Sequence, residues 1–176
     1  LKINPDLKYE HIPIVLYHDL GLRRSQQMFS DLNKFALRPT HSLNIMYDNR
    51  DADSKLTKEI IANVPVFHEL VDTEHTSISN RSNQLFTLSG IHRGTKALFS
   101  GLTWDYEKKR EVGISFWSSV SDYMQDWKDV YEGKKKAYVI RQDSLSSLSI
   151  TIKGLGTIGN EILRRAPDTV DAALFR

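Results

Sequence analysis

A chain of 176 residues without cysteine carries 24 basic and 22 acidic side chains, a formal net charge of +2. This length supports one domain that buries roughly two thirds of its unfolded surface, so a core forms without disulfides or thiolate metal sites. The charge is too balanced for a whole-chain nucleic-acid argument, no apolar run approaches the ~20 residues that cross a bilayer, and the lack of cysteine suits a reducing cytoplasm.

The apolar, β-branched run Ile12-Pro13-Ile14-Val15-Leu16-Tyr17 predicts a buried strand. Residues 22–37 predict a helix with Met28, Leu32 and Phe35 on one stripe and Phe29 and Ala36 beside it, stopped by Pro39. Thr40 or Ser42 caps a short helix carrying Leu43, Ile45, Met46 and Tyr47. Asp53 or Ser54 opens the next, with Leu56, Ile60 and Ile61 inward. Residues 66–71 fit a strand or an extended connection. The cap formers Ser79, Asn80 and Ser82 predict the start of a long helix through Leu85, Phe86, Leu88, Ile91, Ala97, Leu98 and Phe99, ended by Gly101. Asp105 or Glu107 opens one amphipathic helix with Val112, Phe116, Val120, Tyr123 and Trp127, reaching about residue 131 and followed by a turn at Gly133. Asp143 or Ser144 caps a last helix through Leu148, Ile152, Leu155, Ile158, Ile162 and Leu163, which Pro167 ends.

The expected architecture is α+β and predominantly α-helical, in a single domain over residues 1–176. A small β element near the N-terminus sits within a β-strand and helix unit of residues 1–50. A helical bundle follows over residues 51–167, with a loose tail over residues 168–176. The first residue is Leu1, not methionine, which points to a trimmed or fragmentary chain.

Short basic runs occur at Arg23-Arg24, Lys108-Lys109-Arg110, Lys134-Lys135-Lys136 and Arg164-Arg165. Only their convergence on one surface makes an electrostatic footprint; singly, each reads as a solvated face. Gln26, Gln27, Ser30 and Asn33 share a face opposite Met28 and Leu32, and long amides and arginines satisfy phosphate oxygens or base edges. Arg38 follows that helix, Arg50 lies in a polar turn, and Asn80 and Arg81 precede a predicted helix start, where free N–H groups suit a phosphate. A buried polar network that fixes the helices explains the same side chains equally well.

Gly154-Leu155-Gly156-Thr157-Ile158-Gly159 is a literal G-x-G-x-x-G after an apolar segment. A dinucleotide site also requires a following strand and an acidic residue about 20 positions on, so close packing against a neighbouring helix is the better reading. The six histidines lack metal-site spacing, and no nucleophile elbow or phosphate loop is present. Asp31 with Asn33, and Asp48 with Asp51 and Asp53, fit capping and turn roles better than metal ligation. No catalytic residue, metal or cofactor is expected.

Several long, irregular strings carry a family resemblance. They are Arg24-Ser25-Gln26-Gln27-Met28-Phe29, Asp31-Leu32-Asn33-Lys34, Arg38-Pro39-Thr40, Tyr47-Asp48-Asn49-Arg50-Asp51, Thr76-Ser77-Ile78-Ser79-Asn80-Arg81-Ser82 and Leu85-Phe86-Thr87-Leu88-Ser89-Gly90-Ile91. They resemble the DndB proteins of bacterial DNA phosphorothioation systems, in which sulfur replaces a non-bridging phosphate oxygen. The likeness is strong from residue 12 to about 102 and weaker over 111–166. It implies that the opening β element is a remnant of a ParB-like fold. DndB proteins belong to a wider group named for an Asp-Gly-Gln-His-Arg motif that precedes the first strand. Gly90-Ile91-His92-Arg93 echoes only the end of that motif, inside a later helix, so His92 and Arg93 are expected on its solvent side.

The resemblance implies a cytoplasmic, DNA-binding transcriptional regulator of a phosphorothioate modification cluster. Promoter DNA would be its partner, and Arg23, Arg24, Gln27, Asn33, Arg38, Arg50, Asn80 and Arg81 its contact residues. Two alternatives stay open: a nucleotide-hydrolysing or DNA-nicking accessory protein of the same system, and an interaction module that docks another system protein or a second copy through Trp104, Trp117 and Trp127. No membrane partner is expected.

Overall fold

The chain divides into two units, Leu1–Arg38 and Pro39–Arg176, and a computed structural model describes residues 14, 21–34 and 39–165. In the first unit, Gly21 takes φ +117°, a region that only glycine enters freely, and its carbonyl accepts from the Arg24 and Ser25 N–H groups. Helix α1 (Leu22–Lys34) follows, so the predicted helix is present over its described part. Of its apolar stripe, Met28 is half-buried while Phe29 and Leu32 are exposed. The strand expected at residues 12–17 lies outside the described residues, apart from an exposed Ile14; so do Phe35, Ala36, Arg38, Pro167 and the tail.

The second unit begins with α2 (His41–Tyr47), whose Thr40 cap accepts from the Leu43 N–H as the sequence suggests. Helix α3 (Ala52–Asn63) is capped by Asp51 rather than by Asp53 or Ser54, because the Asp51 carboxylate accepts both the N–H and the hydroxyl of Ser54. Of residues 66–71 only Val71 is extended: Pro65, whose missing N–H costs nothing at a helix start, opens α4 (Pro65–Leu70). Only then comes strand β1 (Val71–Asp72), paired in parallel with β2 (Phe86–Thr87), Val71 opposite Phe86 and Asp72 opposite Thr87.

The helix expected from residues 79–82 starts later, as α5 (Leu88–Leu98), with Thr87 as its cap. The upstream serines form a connection instead, clamped by the Arg141 guanidinium, which donates to the carbonyls of Ser79 (2.9 Å), Ser82 (3.2 Å) and Gln84. Asp105 caps α6 (Tyr106–Tyr123). The predicted helix over 105–131 breaks at Met124, and α7 (Gln125–Tyr131) continues in a new direction, leaving Tyr123 exposed and Trp127 fully buried. Gly133 turns the chain with φ +74° into α8 (Ala137–Asp143), a helix that the sequence did not announce. The last helix, α9 (Ser149–Arg165), begins beyond Asp143 and Ser144; Ser144 instead donates to Asp126 at 2.7 Å. Among the described residues the architecture is thus mostly helical with a small two-stranded parallel sheet, an α+β fold dominated by helices.

Phe67 anchors the core. Its ring lies 5.4 Å from Phe86, 5.6 Å from Trp117 and 6.0 Å from Trp127, in edge or tilted geometries that aromatic quadrupoles favour. Trp117 and Trp127 are fully buried, and the Trp127 indole N–H donates to the Ser146 carbonyl, so these two do not form a docking surface.

Helices α5 and α9 run side by side in the same direction. Gly90 faces Ser149, Gly94 faces Ile152 and Gly156, and Leu98 faces Gly159 and Asn160. A methyl group on Gly94 would stand 2.9 Å from the Ile152 carbonyl oxygen, so the backbones touch where glycine leaves no side chain. This is the close packing expected of the G-x-G-x-x-G segment. The stripe named for it is partly corrected: Ile152 and Leu163 are buried with Gly156 and Gly159, whereas Leu148, Ile158 and Ile162 are exposed.

Candidate nucleic-acid interface

Arg23 and Arg24 occupy the first turn of α1, exposed, and no carboxylate pairs with them among the described residues. Further along the same helix the amides are engaged locally. Gln27 donates to the Asp31 carboxylate at 2.8 Å, and Asn33 donates to the Phe29 carbonyl at 2.8 Å. Arg50 is exposed just before α3, where its backbone N–H donates to Asp48 while its guanidinium has no ion pair among the described residues. Asn80 and Arg81 are exposed in the β1–β2 connection. They do not stand at a helix start, because α5 begins at Leu88; a phosphate held by helix N–H groups at that point is ruled out as a role for them. Arg38 lies outside the described residues.

The basic runs behave differently from one another. Arg110 pairs with Glu59 at 2.7 Å and reaches Glu107 at 3.9 Å, and Lys108 stacks over Trp104 at 4.4 Å. Lys134 pairs with Glu132, and Lys135 with Asp129 at 2.9 Å; hydrogen bonding to these carboxylates raises both lysine pKa values. Arg165 pairs with Glu161, while Arg164 donates to Asn160 and to the Ser100 carbonyl. Most of the charge that stands out in the sequence is therefore matched inside the second unit.

A convergence of cations arises where the sequence shows no run. Between α5 and α9 lies an open groove of about 460 Å³. Arg93, Lys96 and Ala97 of α5 line it from one side, joined by Ser100 just past the helix end, and Lys153, Thr157 and Asn160 of α9 line it from the other. Residues 93, 96 and 97 follow helical spacing, as do 153, 157 and 160, so each set shares one helix face. Arg93 and Lys153 are exposed and unpaired with any described carboxylate, and Lys96 has only a loose, exposed contact with Asp53 at 3.6 Å.

His92 is the clearest departure from the sequence reading, since it points inward and is 7% exposed; only Arg93 faces solvent. Its Nδ1 lies 3.0 Å from the Thr57 hydroxyl, which itself donates to the Asp53 carbonyl at 2.8 Å. With that hydroxyl hydrogen committed, the Nδ1–H of a neutral His92 is the donor. Burial, with the Lys96 charge second, pushes its pKa below the ordinary imidazole value against the pull of Asp53 and Asp51. The His41 ring sits edge-on to it at 6.3 Å.

The carboxylates weighed as metal ligands have local roles. Asp48 accepts the Arg50 and Asp51 N–H groups, and the Asp51 and Arg50 N–H bonds hold its carboxyl below the usual range. Asp51 caps α3, with the Ser54 hydroxyl chiefly lowering its pKa. Among the described residues no group of three ligating side chains comes together, and no helix is long and apolar enough to cross a membrane.

Neither the curated proteins nor the solved structures compared with this chain contain a match. A comparison with protein families matches residues 1–175 to DndB, described as DNA-sulfur modification-associated. The match extends the likeness carried by the strings between residues 24 and 91 across essentially the whole sequence. The chain belongs to the DndB family and takes part in the DNA sulfur modification system.

Proposed function

We propose that this protein is a DNA-binding transcriptional regulator of a phosphorothioate modification cluster, occupying the promoter of that cluster. Family membership and the free guanidiniums of Arg23, Arg24, Arg50 and Arg81 support the reading, and the guanidiniums carry it. Exposed arginines without carboxylate partners keep their capacity for bidentate bonds to phosphate or guanine, which neutralised ones lose. Arg38 joins them as a contact residue. Gln27, Asn33 and Asn80 position the protein by single hydrogen bonds to the sugar-phosphate backbone, the amides exchanging their present local partners for phosphate oxygens.

A gel-shift titration with the cluster's promoter duplex tests this function. Arg24→Ala, Arg50→Ala and Arg81→Ala combined in the full chain should weaken binding at least tenfold while the far-UV circular dichroism stays unchanged. Undiminished affinity would remove these side chains from the interface. Failure of the unaltered chain to bind any duplex would end the regulator reading.

A further inference from the structure

We propose that the groove between α5 and α9 is a phosphate-tracking surface that grips the backbone of duplex DNA. This deepens the promoter-binding reading and rests on it, adding contact residues that belong to none of the basic runs.

The packing of the two helices produces the site. Gly94 and Gly156 bring the backbones into contact, so the long side chains flanking the seam rise from two helices that are unusually close. Arg93 and Lys96 stand on one bank and Lys153 on the other, and Ser100 and Thr157 also line the groove. From residue 153 to 160 the α9 bank extends roughly 10 Å at the α-helical rise of about 1.5 Å per residue, and the opposite bank continues past the end of α5 at Leu98 to Ser100. This length suits successive phosphates of one strand.

The far end of the groove is already closed. Asn160 donates to the Leu98 and Ser100 carbonyls at 2.8 and 3.0 Å, and Arg164 donates to Ser100 at 2.8 Å, satisfying the carbonyl end of α5. Arg93 and Lys153 do no comparable work within the fold. They are solvated cations facing each other across a groove, with only the Lys96 contact to Asp53 as nearby compensation. Cations on both banks of a groove that Ala97 also lines complement a polyanion, whereas a cationic partner is repelled.

Anisotropy titrations of the full chain against labelled promoter and unrelated duplexes, each over a salt series, test the groove. Arg93→Ala with Lys153→Ala should weaken binding to both duplexes alike. It should also flatten the log–log salt slope by about two, near 0.9 for each lost phosphate contact. Arg93→Lys with Lys153→Arg should restore the wild-type slope. Thermal unfolding should be unchanged, since neither side chain has a partner to lose. A wild-type slope in the alanine pair, with the unaltered chain still binding promoter, would overturn the groove and leave the regulator reading standing. No binding by the unaltered chain would remove both.

Discussion

Gly156 of α9 lies directly against the Gly94 carbonyl of α5, so that a methyl group on Gly156 would overlap that backbone. Two parallel helices thereby pack at a distance that no other residue pair permits, and the seam of the second unit depends on it. Gly154, two residues earlier in the same G-x-G-x-x-G string, meets nothing within 4 Å.

The two glycines should therefore respond oppositely to one added carbon. Gly156→Ala forces the helices apart and should cost about 2–3 kcal/mol, at the upper end of overpacking penalties, because backbone cannot yield as a side chain tip can. Gly154→Ala should stabilise by roughly 0.5–1 kcal/mol by restricting the unfolded chain. Urea unfolding of both variants checks this. Equal effects of one sign would contradict the packing of α5 on α9.

His92 makes stability depend on mild acidity. The unfolded chain takes up a proton near the ordinary imidazole pKa of 6.5, whereas the buried ring resists until lower pH. Within that window the unfolded state binds more protons, so stability is complete above about pH 6.5 and falls as pH drops toward the depressed native value. His92→Gln, which keeps a donor for Thr57 without titrating, should flatten the fall in melting temperature. A variant with the same pH profile as the wild type would mean that other groups set it.

Asp51→Ala should destabilise the second unit by about 1 kcal/mol, the usual loss for an N-cap, because the Ser54 N–H and hydroxyl both lose their acceptor. Asp53→Ala should cost less, since its side chain caps nothing. Denaturant midpoints of the two variants compare them, and the reverse order would restore the assignment made from sequence.

What the sequence disclosed follows from how local each cause is. Thr40 and Asp105 were legible as caps because their partners sit three residues on, at Leu43 and Lys108. The family strings were legible because they are contiguous. His92 was not, since its partner Thr57 is 35 residues away and only the fold unites them. Ser79 and Ser82 look like caps, yet Arg141 holds their carbonyls from about 60 residues downstream and makes them a loop. The break at Met124 was hidden because Val120, Tyr123 and Trp127 keep helical spacing across it. Charge misled in the same way. Runs such as Lys134-Lys135-Lys136 attract notice but find carboxylates beside them, while Arg93 and Lys153, isolated in sequence, meet across a groove.

The most direct test of promoter recognition is the ratio of affinities of the full chain for the cluster's promoter and for an unrelated duplex, measured at one physiological salt concentration. A specific regulator should favour the promoter by at least about 10³, with both affinities falling as salt rises. Equal affinities for the two duplexes, or binding that ignores salt, would contradict the account.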